Sequence, residues 1–228
     1  MRIDENLCIA CGSCVPYCPM NAITLGDVAV IHQDECVECG TCARARVCPV
    51  DAFVIEPDVW PRSIRSAFSN PTVEHKETRI AGRGTEEMKT NEITGLFESG
   101  WVGMGFEFGR PGIGSRFRDV DMVAQALARL GVTFADNNPV TKLMVDKETG
   151  KIMDEVLDEK VMSAIIECVF PLEKMKDVLR TLTELAPKLV TVVSVECINK
   201  VEPDDSLPMD AVLQEMGIPR RINGKTNV

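Results

Sequence analysis

Cysteine is the residue type in this chain whose number and spacing point to chemistry: eight of its ten cysteines fall within the first fifty residues. They form two runs, Cys8-x2-Cys11-x2-Cys14-x3-Cys18-Pro19 and Cys36-x2-Cys39-x2-Cys42-x5-Cys48-Pro49. Three thiolates spaced by two residues can wrap one side of a 4Fe-4S cube, and a fourth thiolate must then arrive from farther along the chain. Zinc is the competing reading, because C-x2-C knuckles are its usual sign. A zinc ion takes four ligands, usually from two separated pairs, whereas two runs of three plus one repeat here between Cys8 and Cys36. A disulfide scaffold is the weakest reading. The opening Met-Arg-Ile-Asp-Glu-Asn lacks an apolar signal segment, so the thiols are expected in a reducing cytoplasm.

On these residues the segment 1–56 resembles the bacterial-type ferredoxin family with two 4Fe-4S clusters, and both runs carry its Cys-Pro signature. In that family the remote cysteine of each run ligates the other cluster. The resemblance therefore implies Cys8, Cys11, Cys14 and Cys48 around cluster one, and Cys36, Cys39, Cys42 and Cys18 around cluster two. The second run departs from the usual spacing with five residues, Ala43 to Val47, before its last cysteine. Two extra residues can bulge outward without moving Cys48, and they bring Arg44 and Arg46 beside the site. Those cations could raise a reduction potential, receive an acidic partner, or simply line a solvated loop.

The elements that must position these cysteines are short. Each repeat reads as strand, cysteine turn, helix start and strand, with Ile23-Thr24-Leu25 corresponding to Phe53-Val54-Ile55. So small a domain has little room for a conventional core, and the clusters themselves become its main structural element. The whole chain carries a formal charge of -10, and two oxidised clusters with their thiolates would bring it to roughly -14. Nucleic acid is thus an unsuitable partner, and a basic patch on a redox enzyme a suitable one. No run of 18 apolar residues is present, so no membrane span is expected.

Residues 57–98, with Pro57, Pro61 and Pro71 and no sustained apolar period, read as an extended connector. Within it, Thr78 to Asn91 has the glycine and arginine content of an anion-binding turn, or of a loop packed on a neighbour. From residue 99 to 200 the periodicities alternate. Trp101 to Gly109 is predicted as a strand with Val102, Met104, Phe106 and Phe108 on one face and glycines on the other, where another sheet or subunit could approach. Asp119 to Leu130 is predicted as a helix capped by Gly131, then Thr141 to Val145 and Val161 to Phe170 as strands. Pro171 opens a second helix stopped by Pro187, and Leu189 to Ile198 is the last strand. The resulting fold class is α+β, a small dicluster domain followed by a βαββαβ sandwich of ferredoxin-like topology. Residues 201–228 are a tail with a short helix at Met209 to Met216.

Gly109-Arg110-Pro111-Gly112-Ile113-Gly114 between the first strand and helix, with Leu130-Gly131-Val132 after it, resembles the ACT domain family over Trp101 to Asn199. The resemblance implies pairing into larger sheets, hence a possible homo-oligomer, and an effector site at Arg110, Gly112, Gly114 and Arg116. The plain alternative is a tight turn whose glycines let the backbone bend. Cys168 and Cys197 fall in phase with apolar neighbours and read as core residues. His32 and His75 are isolated, and Trp60 and Trp101 read as packing anchors. With no nucleotide fingerprint, flavin motif or nucleophile arrangement, the chain is expected to pass single electrons through two 4Fe-4S clusters and not to be an enzyme by itself. Its expected partner is the catalytic subunit of an anaerobic oxidoreductase, or another electron donor or acceptor. An effector-regulated ferredoxin and a sulfur-transfer accessory are the alternatives.

Overall fold

The computed structural model describes residues 1–56, 59–74, 95, 98–110 and 112–219. The expected anion-binding turn at Thr78 to Asn91, His75, and the basic end of the tail from Arg220 onward lie outside the described residues.

The first 56 residues form two minimal antiparallel sheets. β1 (Arg2–Ile3) pairs with β4 (Phe53–Val54), and β2 (Ile23–Leu25) pairs with β3 (Ala29–Ile31). The outer strand of the first repeat thus joins the outer strand of the second, and the inner strands join each other. The two cysteine loops between them repeat the same backbone. Ala10 and Glu38 both take left-handed φ, at 54° and 53°, as do Gly12 and Gly40, at 71° and 69°. After each Cys-Pro the left-handed residue recurs as Asn21 and Asp51, both at φ 51°. That spacing is 30, the 28-residue offset plus the two extra residues, so the insertion is absorbed before Cys48 by the helical turn α1 (Thr41–Arg44) and by left-handed Arg46.

The segment 57–98 is more than the expected connector. Ser63–Ser69 forms helix α2, with Ile64, Arg65, Phe68 and Ser69 buried. Ile64 and Phe68 lie one helical turn apart and enter the large core of the later residues. There the Phe68 ring meets Phe117 edge-on, with centroids 5.2 Å apart.

That core is built on a four-stranded antiparallel sheet of β12 (Val193–Asn199), β5 (Trp101–Phe108), β11 (Ala164–Pro171) and β7 (Thr133–Phe134), in that order. Val102, Met104, Phe106 and Phe108 of β5 are fully buried with Ile166, Cys168 and Phe170 of β11. Helices α3 (Phe117–Arg129) and α4 (Met175–Leu185) cover them with Val120, Val123 and Leu127 and with Met175, Val178 and Leu182. The four sheet strands and these two helices follow one another along the chain in the order β-α-β-β-α-β. One strand expected from sequence is placed differently: the second strand of the sheet is Thr133–Phe134, which starts two residues after Gly131. Thr141–Leu143 is instead a 3-10 turn, and two strand pairs lie outside the sheet: the hairpin of β8 (Met144–Asp146) with β9 (Lys151–Ile152), and β6 (Ser115–Arg116) with β10 (Lys160–Val161). Two residues are too few to display an alternation, while the hairpin displays one. Helix α5 (Pro208–Glu215) closes the described chain, anchored where Asn199 Oδ1 accepts the Met209 N–H at 2.7 Å.

Candidate metal centre

The eight clustered cysteines line two separate cavities. One is lined by Cys8, Cys11, Cys14 and Cys48 together with Ile3, Ile9 and Phe53. The other is lined by Cys18, Cys36, Cys39 and Cys42 together with Met20, Ile31 and Val37. Each therefore gathers three thiols from one repeat and the fourth from the other. Among the described residues no three His, Cys, Asp or Glu side chains converge on a point able to hold a single ion. The thiols surround a volume, which suits a polynuclear iron-sulfide core and does not suit one zinc ion.

Backbone amides are directed at the sulfurs in the same way in both halves. Ala22 N–H donates to Cys18 Sγ at 3.1 Å, and its repeat partner Ala52 N–H donates to Cys48 Sγ at 3.3 Å. Such bonds stabilise thiolate charge and set the potential of a bound cluster. The left-handed residues of each loop turn the chain so that successive cysteines face one centre. Burial pushes the Cys36 and Cys42 thiols up to about 11 and raises Cys14, whereas bonds from Ser13 lower exposed Cys11. Thiolates in so dry a cavity require a cation to bind to, which ferric and ferrous iron supply.

The second cavity is held against the later part of the chain. Arg65 of α2 is buried and donates to the carbonyl oxygens of Gln33, Asp34 and Cys36 at 2.8, 3.3 and 2.8 Å, while pairing with Glu159. Arg62 reaches Glu38 at 2.5 Å and the Gln33 carbonyl at 3.1 Å. Lys160 and Arg116 both pair with Glu35, and Lys160 beside it holds that carboxyl below the usual range. Met162 adds an apolar contact to the cluster of Met20, Ala22, Val37 and Cys39. Sequence reasoning missed Arg62 and Arg65. The i,i+4 pair Ile64 and Phe68 was the available signal, hidden by a seven-residue length and flanking prolines. Arg44 donates to Asn70 at 2.8 Å, while Arg46 is exposed.

Three of the four residues expected at an effector turn, Arg110, Gly114 and Arg116, are engaged within the fold. Arg110 Nε pairs with Glu107 at 2.5 Å, and Arg116 donates to the Asp158 carbonyl at 2.6 Å besides meeting Glu35. Gly114 has φ +71°, and a Cβ there would meet the Val161 carbonyl at 2.9 Å and Met20 Sδ at 3.1 Å; Gly112, φ +66°, faces open space. Cys168 and Cys197 lie on either side of Met104 in the sheet, and burial pushes Cys168 far up and Cys197 up to about 12. His32 bonds Thr24 Oγ1 at 2.8 Å, and Trp60 donates to Glu155 at 2.8 Å.

Comparison with known proteins bears on the first residues of the chain. The model of a 4Fe-4S binding domain matches residues 1–24. Ferredoxin-3 of Chlorobaculum tepidum is 40% identical over 59 residues, which are 24% of this chain and 94% of that protein. The chain belongs to the ferredoxin family. Ferredoxin-1 of Rhodobacter capsulatus is 52% identical over 40 residues, 17% of this chain and 62% of its own length. The ferredoxin of Saccharopolyspora erythraea is 46% identical over 48 residues, 21% of this chain and 43% of its own. The chain thus spans less than two thirds of these last two ferredoxins, and all three matches cover a quarter of it or less. No solved structure matches. Among the described residues, no helix is long and apolar enough to cross a membrane.

Proposed function

We propose that this ferredoxin is a one-electron carrier with two 4Fe-4S clusters, one held by Cys8, Cys11, Cys14 and Cys48 and the other by Cys36, Cys39, Cys42 and Cys18. The observation that carries the reading is the division of eight thiols into two cavities, with each repeat lending one cysteine to the other's cavity. A bound cluster supplies a one-electron couple with little change of shape. The chain's own residues hold its sulfurs, direct the Ala22 and Ala52 amides at them, and keep water from Cys39 and Cys42. Cys18 and Cys48, each lent by one repeat to the other's cavity, tie the cavities together, so that an electron entering one is close to the other.

The later residues are read as an ACT-like assembly domain over 99–200, holding the dicluster domain of residues 1–56 in a complex with a catalytic subunit of an anaerobic, cytoplasmic oxidoreductase. The β-α-β-β-α-β order and the four-stranded sheet order support that reading. The engagement of Arg110 and Arg116 inside the fold favours assembly over effector binding. Anaerobic purification tests the carrier: about eight iron atoms per chain and a reduced-state paramagnetic signal from two interacting clusters are expected. Four irons would reduce it to a single-cluster protein. A stoichiometric redox enzyme retained in a pull-down from the native host would support the assembly role, and recovery of the chain alone would oppose it.

A further inference from the structure

The internal repeat supplies its own comparison. Residues 28 apart occupy equivalent positions of the two cysteine loops, and their surroundings differ sharply. Ile9 is 60% exposed, while its counterpart Val37 is 1% exposed. Cys11 is exposed and Cys39 buried; Leu7 is 49% exposed, while its counterpart Glu35 is paired with Lys160 and Arg116. The loop backbones share the same left-handed positions, so the difference lies in what covers them. The second loop is covered in cis by Met162 and four cations, Arg62, Arg65, Arg116 and Lys160. The equivalent face of the first loop has no such cover among the described residues.

We infer that this free face, Leu7, Ile9 and Cys11 with Leu25 at its edge, is the port through which an external redox protein docks, and that the second cavity is an inner site without a port. The inference rests on the carrier reading. Its occupant is a redox protein presenting an apolar patch flanked by lysines or arginines, the same chemistry with which the chain covers its own second loop. Charge agrees. Glu5, Asp27 and Asp51 are exposed in the first 56 residues and carry no ion pair among the described residues. Apolar side chains at the centre exclude water at the contact, and acidic groups outside it steer a cationic partner. Leu25 belongs to the same face because its Cδ2 lies 3.0 Å from where a Cβ of Gly12 would stand. In the transfer, one electron leaves a reduced cluster and converts a ferric haem or another one-electron acceptor to its reduced form; no atom or proton moves.

The test uses the full, cluster-loaded chain, reduced with dithionite and freed of the excess, and ferric cytochrome c as a cationic one-electron probe, mixed anaerobically at low ionic strength. Leu7→Lys places a repelling charge at the port, and Leu25→Lys does so from its edge. Val145→Lys, at a 64% exposed position on the distant hairpin, changes net charge equally. Both port variants are expected to slow the second-order rate by about tenfold, and Val145→Lys by less than about twofold. Leu7 tolerates a charge on the loop's own precedent, since Glu35 occupies its place in the repeat; should Leu7→Lys lose iron, Leu25→Lys decides. Port variants as fast as the parent, or a Val145→Lys variant equally slow, overturn the port. Iron content and the reduced-state signal are measured first: their absence from the parent chain sinks the carrier reading as well, whereas normal clusters with unchanged rates sink the port alone.

Discussion

Replacing Arg65 by alanine strikes the contact between the second cysteine loop and the rest of the chain, and its cost can be worked out from the bonds removed. The guanidinium satisfies three carbonyl oxygens, those of Gln33, Asp34 and Cys36, and neutralises Glu159. Both side chains are well removed from water, at 6% and 14% exposure. Taking away one partner of a buried pair costs about 3–5 kcal/mol, because the other charge stays behind unpaired. We therefore expect Arg65→Ala to destabilise the cluster-loaded chain by about 3–5 kcal/mol. Anaerobic urea unfolding, read by the fluorescence of Trp60 and Trp101, measures it. Arg65→Lys keeps a charge but not the fork that reaches several carbonyls, so it should recover only part of the loss. The double variant Arg65→Ala/Glu159→Ala should be less destabilised than the sum of the singles, as partners in contact require. A loss below about 1 kcal/mol, or singles that simply add, would refute the argument that this arginine clamps the loop.

The exchange of the fourth cysteine is tested by pairs of substitutions. Cys8→Ser/Cys48→Ser alters one cavity and should lose about half of the iron, whereas Cys8→Ser/Cys18→Ser alters both and should lose nearly all of it; the reverse outcome would assign each run its own cluster. Chelating the iron should abolish amide protection in β1 to β4 while the four-stranded sheet stays protected, because Val102, Met104, Phe106 and Phe108 draw on a core independent of the clusters; hydrogen exchange reads both regions at once. Gly150→Ala should cost about 2–3 kcal/mol in the same unfolding assay, since φ is +71° there and a Cβ would lie 2.5 Å from the Ala124 carbonyl oxygen.

The cysteine spacing reveals the candidate site because a polynuclear cluster leaves little freedom: three thiolates on consecutive turns and one remote thiolate can be read without knowing any contact. The same holds for helices α3 and α4, whose Val120, Val123 and Leu127 and Met175, Val178 and Leu182 recur at helical spacing and are buried as that spacing requires. Thr133–Phe134 was illegible for the opposite reason. A two-residue edge strand gains its state from pairing Phe134 with Cys168 and Thr133 with Val169, contacts more than thirty residues away in sequence. Helix α2 was hidden similarly, its Ile64 and Phe68 meaning little until the core that receives them is known. Arg65 on that helix illustrates the general limit. A buried arginine is defined by carbonyl oxygens, and no sequence pattern announces which carbonyls will lack other partners.

Covering one half of a two-fold repeat explains why equivalent positions diverge in chemistry while the backbone does not. A domain of this size buries too little surface to be robust by itself, and the second loop gains stability from Met162 and the arginine contacts. That contact constrains its residues: position 35 must be acidic to meet Lys160 and Arg116, and position 38 must meet Arg62. The first loop, at positions 7 and 10, carries Leu and Ala instead. Exposing Leu7 and Ile9 to water brings no benefit to folding, and their apolar area becomes favourable only when another surface removes it from solvent. The asymmetry between the two loops therefore belongs to binding, with one half committed to the chain's own later residues and the other left for a partner.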